Sequence, residues 1–108
     1  MCRALKVLCV AEDPGSLSTL KRAASSAEWE LAPGATDEEA ALRQLREEHP
    51  HVLVVRGAFE GLVAAAVAEL PALRVVADRE MAGAAVVVDS FEDVREAILG
   101  RPRSGPVR

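Results

Sequence analysis

The clearest apolar block in this chain is a run of four residues, VLVV, between the polar residues His51 and Arg56. A continuous run rich in β-branched residues is typical of a strand that is buried on both faces of a parallel sheet. It predicts a central strand over residues 51–56. In open α/β sheets the ligand crevice lies at the carboxyl ends of the strands. Arg56 is therefore predicted to stand where such a fold places its chemistry.

Shorter apolar runs predict four further strands. They cover residues 5–10, 29–31, 73–77 and 84–88. The run over residues 29–31 is short and alternates apolar and polar side chains, which is typical of an edge strand.

Apolar residues at helical spacing lie between these runs and predict four helices, over residues 14–27, 37–48, 62–70 and 91–99. Asp13 is the predicted N-cap of the first helix, because Pro14 suits the first helical position. Thr36 and Glu39 have the spacing of a capping box at the start of the second helix.

The alternation of strands and helices predicts an α/β fold of the flavodoxin type, a doubly wound five-stranded parallel sheet in the order 2-1-3-4-5. Only about six residues separate the fourth strand from the fifth, whereas a parallel crossover ordinarily needs about a dozen. Two interpretations stay open: the fourth helix is missing or shortened, or the last two strands form an antiparallel hairpin. We favour the first.

Length and charge limit the number of domains and the class of partner. With 108 residues, half of them hydrophobic, the chain is predicted to form one domain over residues 1–100, followed by a disordered basic tail over residues 101–108. The net charge is −4, and the tail contributes three arginines and no acid, which leaves −7 on the body. This balance disfavours a nucleic-acid partner.

The cysteines and the amino terminus indicate the compartment. If Cys9 lies in an extended strand, Cys2 is about 20 Å away from it, too far for a disulfide. The apolar run near the amino terminus is too short for a secretory signal, and no stretch approaches the length of a membrane span. The sequence therefore predicts a reducing, cytoplasmic setting.

Over residues 5–99 the sequence resembles the receiver (CheY-like) domains of bacterial response regulators. The resemblance rests on KVLCVAEDP at residues 6–14, on the start and end of the predicted second helix, and on HVLVVR at residues 51–56. Gly83-Ala84 and Asp89-Ser90-Phe91 are similar to the residues around the family's fifth strand. The resemblance implies a CheY-like fold and a role in two-component signalling.

Receiver chemistry needs an aspartate that accepts a phosphoryl group, a hydroxyl that senses it and a lysine that neutralises it. The resemblance places Arg56 at the acceptor position, Ala77 at the position of the switch hydroxyl and Asp89 at that of the lysine. An arginine cannot carry a phosphoryl group stably as an aspartate would. The resemblance therefore implies a degenerate domain, or pseudo-receiver, that is not phosphorylated and is not an enzyme.

The acids that hold Mg²⁺ in a receiver correspond to Ala11 and Glu12, followed by Asp13. With one of the two acids replaced and Arg56 beside them, neither a metal nor another cofactor is expected. Arg56 is instead predicted to form a permanent ion pair with Asp89 or Glu12. The other interpretation of Arg56 is a contact to an anion or to a partner.

Other groups that could carry chemistry have simpler structural interpretations. Cys9 precedes a turn, as a phosphotransfer nucleophile would, but two acids follow it and would repel an anion. It is predicted to be a buried strand residue. His49 and His51 have no suitably spaced third metal ligand, and are predicted to mark a helix end and a strand start.

The predicted function is that of a regulatory module that binds a protein partner, with a second copy of the chain as one candidate. A shortened fourth helix would leave apolar sheet surface thinly covered, and such a patch favours association. The predicted interaction surface consists of Val75, Val76, Met81, Val86 and Val88. The alternative is a small ligand-binding or anion-binding protein, or an enzyme, that uses the crevice around Arg56.

Overall fold

The computed structural model describes residues 5–25, 29–78, 86–87 and 98. Its elements in chain order are β1 (Leu5–Ala11), α1 (Pro14–Ala24), β2 (Trp29–Leu31), α2 (Glu38–Glu48), β3 (Val52–Arg56), α3 (Glu60–Glu69), β4 (Arg74–Ala77) and β5 (Val86–Val87).

The strands form one parallel sheet in the order β2-β1-β3-β4-β5. The predicted α/β fold with a parallel sheet is confirmed. β5 is described over only two residues, and it runs parallel to β4, with Val86 opposite Val76 and Val87 opposite Ala77. An antiparallel hairpin between the last two strands is therefore wrong. The predicted loss of the fourth helix concerns residues 79–85, which lie outside the described residues, as do the tail and most of the predicted last helix.

Both faces of the sheet are covered, which explains why its inner strands are continuously apolar. On one face, alternate strand residues such as Val7, Cys9 and Val54 pack with Leu20 of α1. Ile98 also packs there, and it is helical and buried. On the other face, the intervening strand residues pack with α2 and α3. These strand residues are Leu8, Val10, Leu53, Val55 and Val75, and the helix residues are Ala41, Leu45, Leu62, Val63 and Ala66.

Local signals explain most helix ends. Asp13 caps α1 as predicted, since its Oδ1 accepts a hydrogen bond from Ser16 N at 2.8 Å. The predicted capping role of Thr36 is wrong, because Asp37 is the N-cap of α2 and accepts from Ala40 N at 2.8 Å. The chain stays extended one residue longer there, because Ala35 still bridges to Val10 of β1.

Two other helix boundaries differ from the prediction. α1 ends at Ala24 instead of residue 27, with an extended C-cap at Ser25. α3 begins at Glu60, two residues before the apolar pattern that predicted it. The first turn of α3 carries exposed residues, so apolar spacing alone could not reveal it.

Candidate functional site

The carboxyl ends of the strands bring the residues of the candidate site together. β1 and β3 run parallel in a register that places Ala11 directly opposite Arg56. Ala77 ends the neighbouring strand β4, where it lies opposite Val55 and is buried. Glu12 and Asp13 follow β1 directly. The structure thus places Arg56, Ala11, Glu12, Asp13 and Ala77 at one edge of the sheet.

Arg56 is half-buried, whereas Glu12 and Asp13 are exposed. The pKa of Asp13 is lowered, chiefly because the Ser16 amide donates to its carboxylate and also because the Ser16 hydroxyl does. The positive charge of Arg56 lowers it further. Asp13 is therefore a helix cap whose carboxylate also interacts electrostatically with Arg56. Both of its oxygens accept hydrogen bonds from Ser16, in the first turn of α1.

This shift predicts a pH dependence of stability. Because the folded state favours ionised Asp13, its stabilising contribution is complete above the unfolded pKa of about 3.9 and is lost as the pH falls through the lower folded pKa. Asn also caps helices but does not titrate in this range. We expect urea unfolding below about pH 4 to show a steeper loss of stability in the wild type than in Asp13→Asn. Parallel pH profiles for the two proteins would contradict this prediction.

Two carboxylates contact the backbone of the loop that follows Arg56. Glu12 Oε2 accepts a hydrogen bond from Ala58 N at 3.3 Å, and Asp78 Oδ1 accepts one from Gly57 N at 3.2 Å. Asp78 and Gly57 are not among the site residues that the sequence predicts. The signal for Asp78 was present, because an acid directly after a predicted strand must lie at the same edge as Arg56.

Part of the predicted site lies outside the described residues. These are Asp89, Met81 and Val88, and the side chain of Val86 is not described either. The ion pair of Arg56 therefore stays a prediction.

The predicted interaction surface needs a correction. Val75 and Val76 are fully buried within the monomer, so assigning them to a contact surface is wrong. β4 lies between β3 and β5, and its two valines point into the opposite helix-covered faces of the sheet. The exposed large apolar residue among those described is Val87 of β5, with 42% of its surface accessible.

Cys9 and the histidines have the structural roles that the sequence predicted. Cys9 is a free, fully buried thiol, and burial raises its pKa to about 12. A raised pKa keeps the thiol protonated at neutral pH, which disfavours a role as a nucleophile. His49 ends α2 in a left-handed conformation with φ 50°, and His51 Nδ1 accepts a hydrogen bond from Lys6 N at 3.0 Å just before β3.

Two further findings concern metal ligands and membrane spans within the described residues. Among them, no three His, Cys, Asp or Glu side chains lie close enough together to hold a metal ion. Within the same part of the chain, no helix combines the length and the apolar character that crossing a membrane requires.

The chain is similar in fold to solved structures of receiver domains. The chain aligns with the signal receiver domain of NarL from Mycobacterium tuberculosis with a TM-score of 0.71 and 24% identity, over 92% of this chain and 96% of that one. A CheY-like receiver domain from Methanospirillum hungatei JF-1 aligns with a TM-score of 0.70 and 15% identity, over 91% and 96% of the two chains.

A third structure is the receiver domain of an HD domain-containing protein from Pseudomonas fluorescens Pf-5. It aligns with a TM-score of 0.63 and 19% identity, over 69% of this chain and 63% of that chain. No family model matches the sequence, and no curated protein matches it either. The alignments with the solved structures show that the chain has the receiver-domain fold.

Proposed function

We propose that this protein is a pseudo-receiver, a regulatory module of signalling that works without phosphorylation and without enzymatic activity. The observation that carries the proposal is the half-buried residue Arg56 at the carboxyl end of β3, with Ala11 directly opposite it. A receiver would need an acceptor carboxylate at the first position and a metal ligand at the second. Arginine and alanine can supply neither.

The neighbouring acids support this proposal. Mg²⁺ binding would require carboxylate oxygens that converge on one point. Asp13 instead caps α1, and Glu12 accepts from a backbone amide across the loop. These same carboxylates disfavour the alternative function, because a negatively charged ligand approaching Arg56 would meet Glu12, Asp13 and Asp78.

The output of such a module is binding to a protein, and a second copy of the chain is one candidate. With Val75 and Val76 buried, the surface open to a partner in this region is the outer edge of the sheet at β5, where Val87 is exposed. The proposal keeps the cytoplasmic setting that the sequence predicts.

The proposal predicts that incubation with acetyl phosphate and Mg²⁺ adds no phosphoryl group. Intact-mass spectrometry measures this directly, with a receiver domain that retains its acceptor aspartate as the positive control in the same reaction. A second readout is Trp29, whose buried indole donates to Ala24 O at 2.7 Å, and whose fluorescence should not change with Mg²⁺. Phosphorylation of the wild-type chain, mapped to a carboxylate at this edge, would refute the proposed function.

A further inference from the structure

The loop between β3 and α3 contains three consecutive backbone amides whose hydrogen bonds are all made within the chain. Gly57 N donates to Asp78 Oδ1 at 3.2 Å, and Ala58 N donates to Glu12 Oε2 at 3.3 Å. Phe59 N donates to Gly57 O at 3.1 Å. Gly57 is buried, so leaving its amide without an acceptor would be costly. Ala58 is exposed, so the bond of its amide to Glu12 takes the place of a bond to water. Two of the three acceptors are carboxylates from other loops.

The side chain of Glu12 packs against Gly57, in the space that a side chain at position 57 would occupy. The φ of Gly57 is +119°, and a Cβ at this position would lie 2.5 Å from Glu12 Cγ and 2.7 Å from Glu12 Cδ. The stem of Glu12 therefore lies directly over the glycine, in space that a side chain would fill. This contact holds the carboxylate against the next amide, that of Ala58.

The contacts also fix the start of α3. Its N-cap, Phe59, provides no side-chain hydrogen bond, so the first turn lacks the stabilisation that Ser, Thr, Asp or Asn would give. The two carboxylates fix the residues just before that turn, and hydrogen bonds from amides to ionised carboxylates are stronger than those to neutral acceptors. Glu12 and Asp78 do not cap α3 themselves, since they accept from the amides of Ala58 and Gly57, but they hold the two residues that lead into its N-cap.

We propose that Glu12 and Asp78 form a carboxylate clasp that holds the β3–α3 loop in one conformation without any bound ion or ligand. The clasp links the ends of β1, β3 and β4. It gives the proposed pseudo-receiver, on which this inference rests, a loop that is permanently ordered, so that a partner meets the same surface in all conditions. Glu12 and Asp78 are positioning residues in this account.

Native-state amide hydrogen exchange, followed by NMR on the full chain, tests the clasp. In Glu12→Ala we expect the Ala58 amide to exchange at least about tenfold faster, while the core amides of Leu53 and Val54 keep their rates. In Asp78→Ala the same change is expected at Gly57. The matched control is Glu39→Ala, which removes an exposed carboxylate from the first turn of α2 and should leave both loop amides unchanged.

A ligand arm separates the clasp from an ordinary ligand-ordered loop. In the wild type, Mg²⁺ and inorganic phosphate should not slow exchange at Gly57 or Ala58, because these amides are already held. If Glu12→Ala does not fold, Glu12→Gln provides the test, since its amide oxygen is a weaker acceptor and should give a smaller increase at Ala58.

Two outcomes would overturn the clasp. One is an Ala58 exchange rate that is the same in the wild type and in the foldable Glu12 variant. The other is slower exchange of the wild-type loop when Mg²⁺ and phosphate are added. Phosphorylation of the wild type would refute the proposed function instead, and it would be seen as a change of mass whatever the exchange rates are.

Discussion

Restoring an aspartate at the acceptor position is expected to destabilise the protein. Arg56→Asp removes the positive charge of a half-buried residue at the end of β3 and adds a carboxylate at the edge that already carries Glu12, Asp13 and Asp78. Like charges brought together in a partly buried site raise one another's pKa and oppose folding. We expect the free energy of unfolding to fall by about 1–3 kcal/mol, less than the ~3–5 kcal/mol lost when a fully buried pair is broken.

Two matched variants identify the cause. Arg56→Met keeps much of the apolar stem and removes only the charge, whereas Arg56→Lys keeps a positive charge without the planar guanidinium. Urea unfolding at neutral pH should rank the variants with Lys above Met and Met above Asp. If repulsion between carboxylates is the cause, added Mg²⁺ should restore part of the stability of Arg56→Asp alone. An Arg56→Asp protein as stable as the wild type would mean that Arg56 does not balance these acids.

The parts of the fold that follow from local patterns could be predicted from the sequence. The apolar run before Arg56 predicts a central strand because that strand is covered on both faces, and β3 is confirmed in that role. Asp13 before Pro14 is a local capping signal, and its hydrogen bond forms as expected. Asp37 caps α2 instead of Thr36, because Ala35 still pairs with β1. Local sequence patterns do not reveal a contact between residues so far apart in the chain.

The site was predictable only in outline. The carboxyl ends of parallel strands meet at one edge, so Arg56, Ala11 and Ala77 could be brought together from strand order alone. The contact of Glu12 with Gly57 could not, since it depends on a positive φ and on the path of a side chain between two loops. The burial of Val75 and Val76 could not be predicted either, because it depends on how the sheet packs against its helices, which local sequence patterns do not reveal.

Gly57→Ala is expected to be strongly destabilising. The fold holds position 57 at φ +119°, a backbone conformation that L-residues rarely adopt. Alanine in this conformation is strained, which costs about 1–3 kcal/mol. Its methyl group would also lie 2.5 Å from Glu12 Cγ, so the exposed Glu12 side chain would have to move. That movement would disturb its hydrogen bond to Ala58 N. Thermal or urea unfolding of the purified variant measures the total effect.

Gly61→Ala is the matched control, because Gly61 lies in α3 and its added methyl group would meet nothing closer than the Glu38 carboxylate oxygens at 3.7 Å. Alanine there should stabilise the protein by about 0.5–1 kcal/mol. A double-mutant cycle with Glu12→Ala then separates strain from collision. If the collision contributes, Gly57→Ala should cost less in the Glu12→Ala background, while the strain remains in both. Equal costs in the two backgrounds would mean that the backbone alone requires glycine at position 57, and that Glu12 merely lies over it.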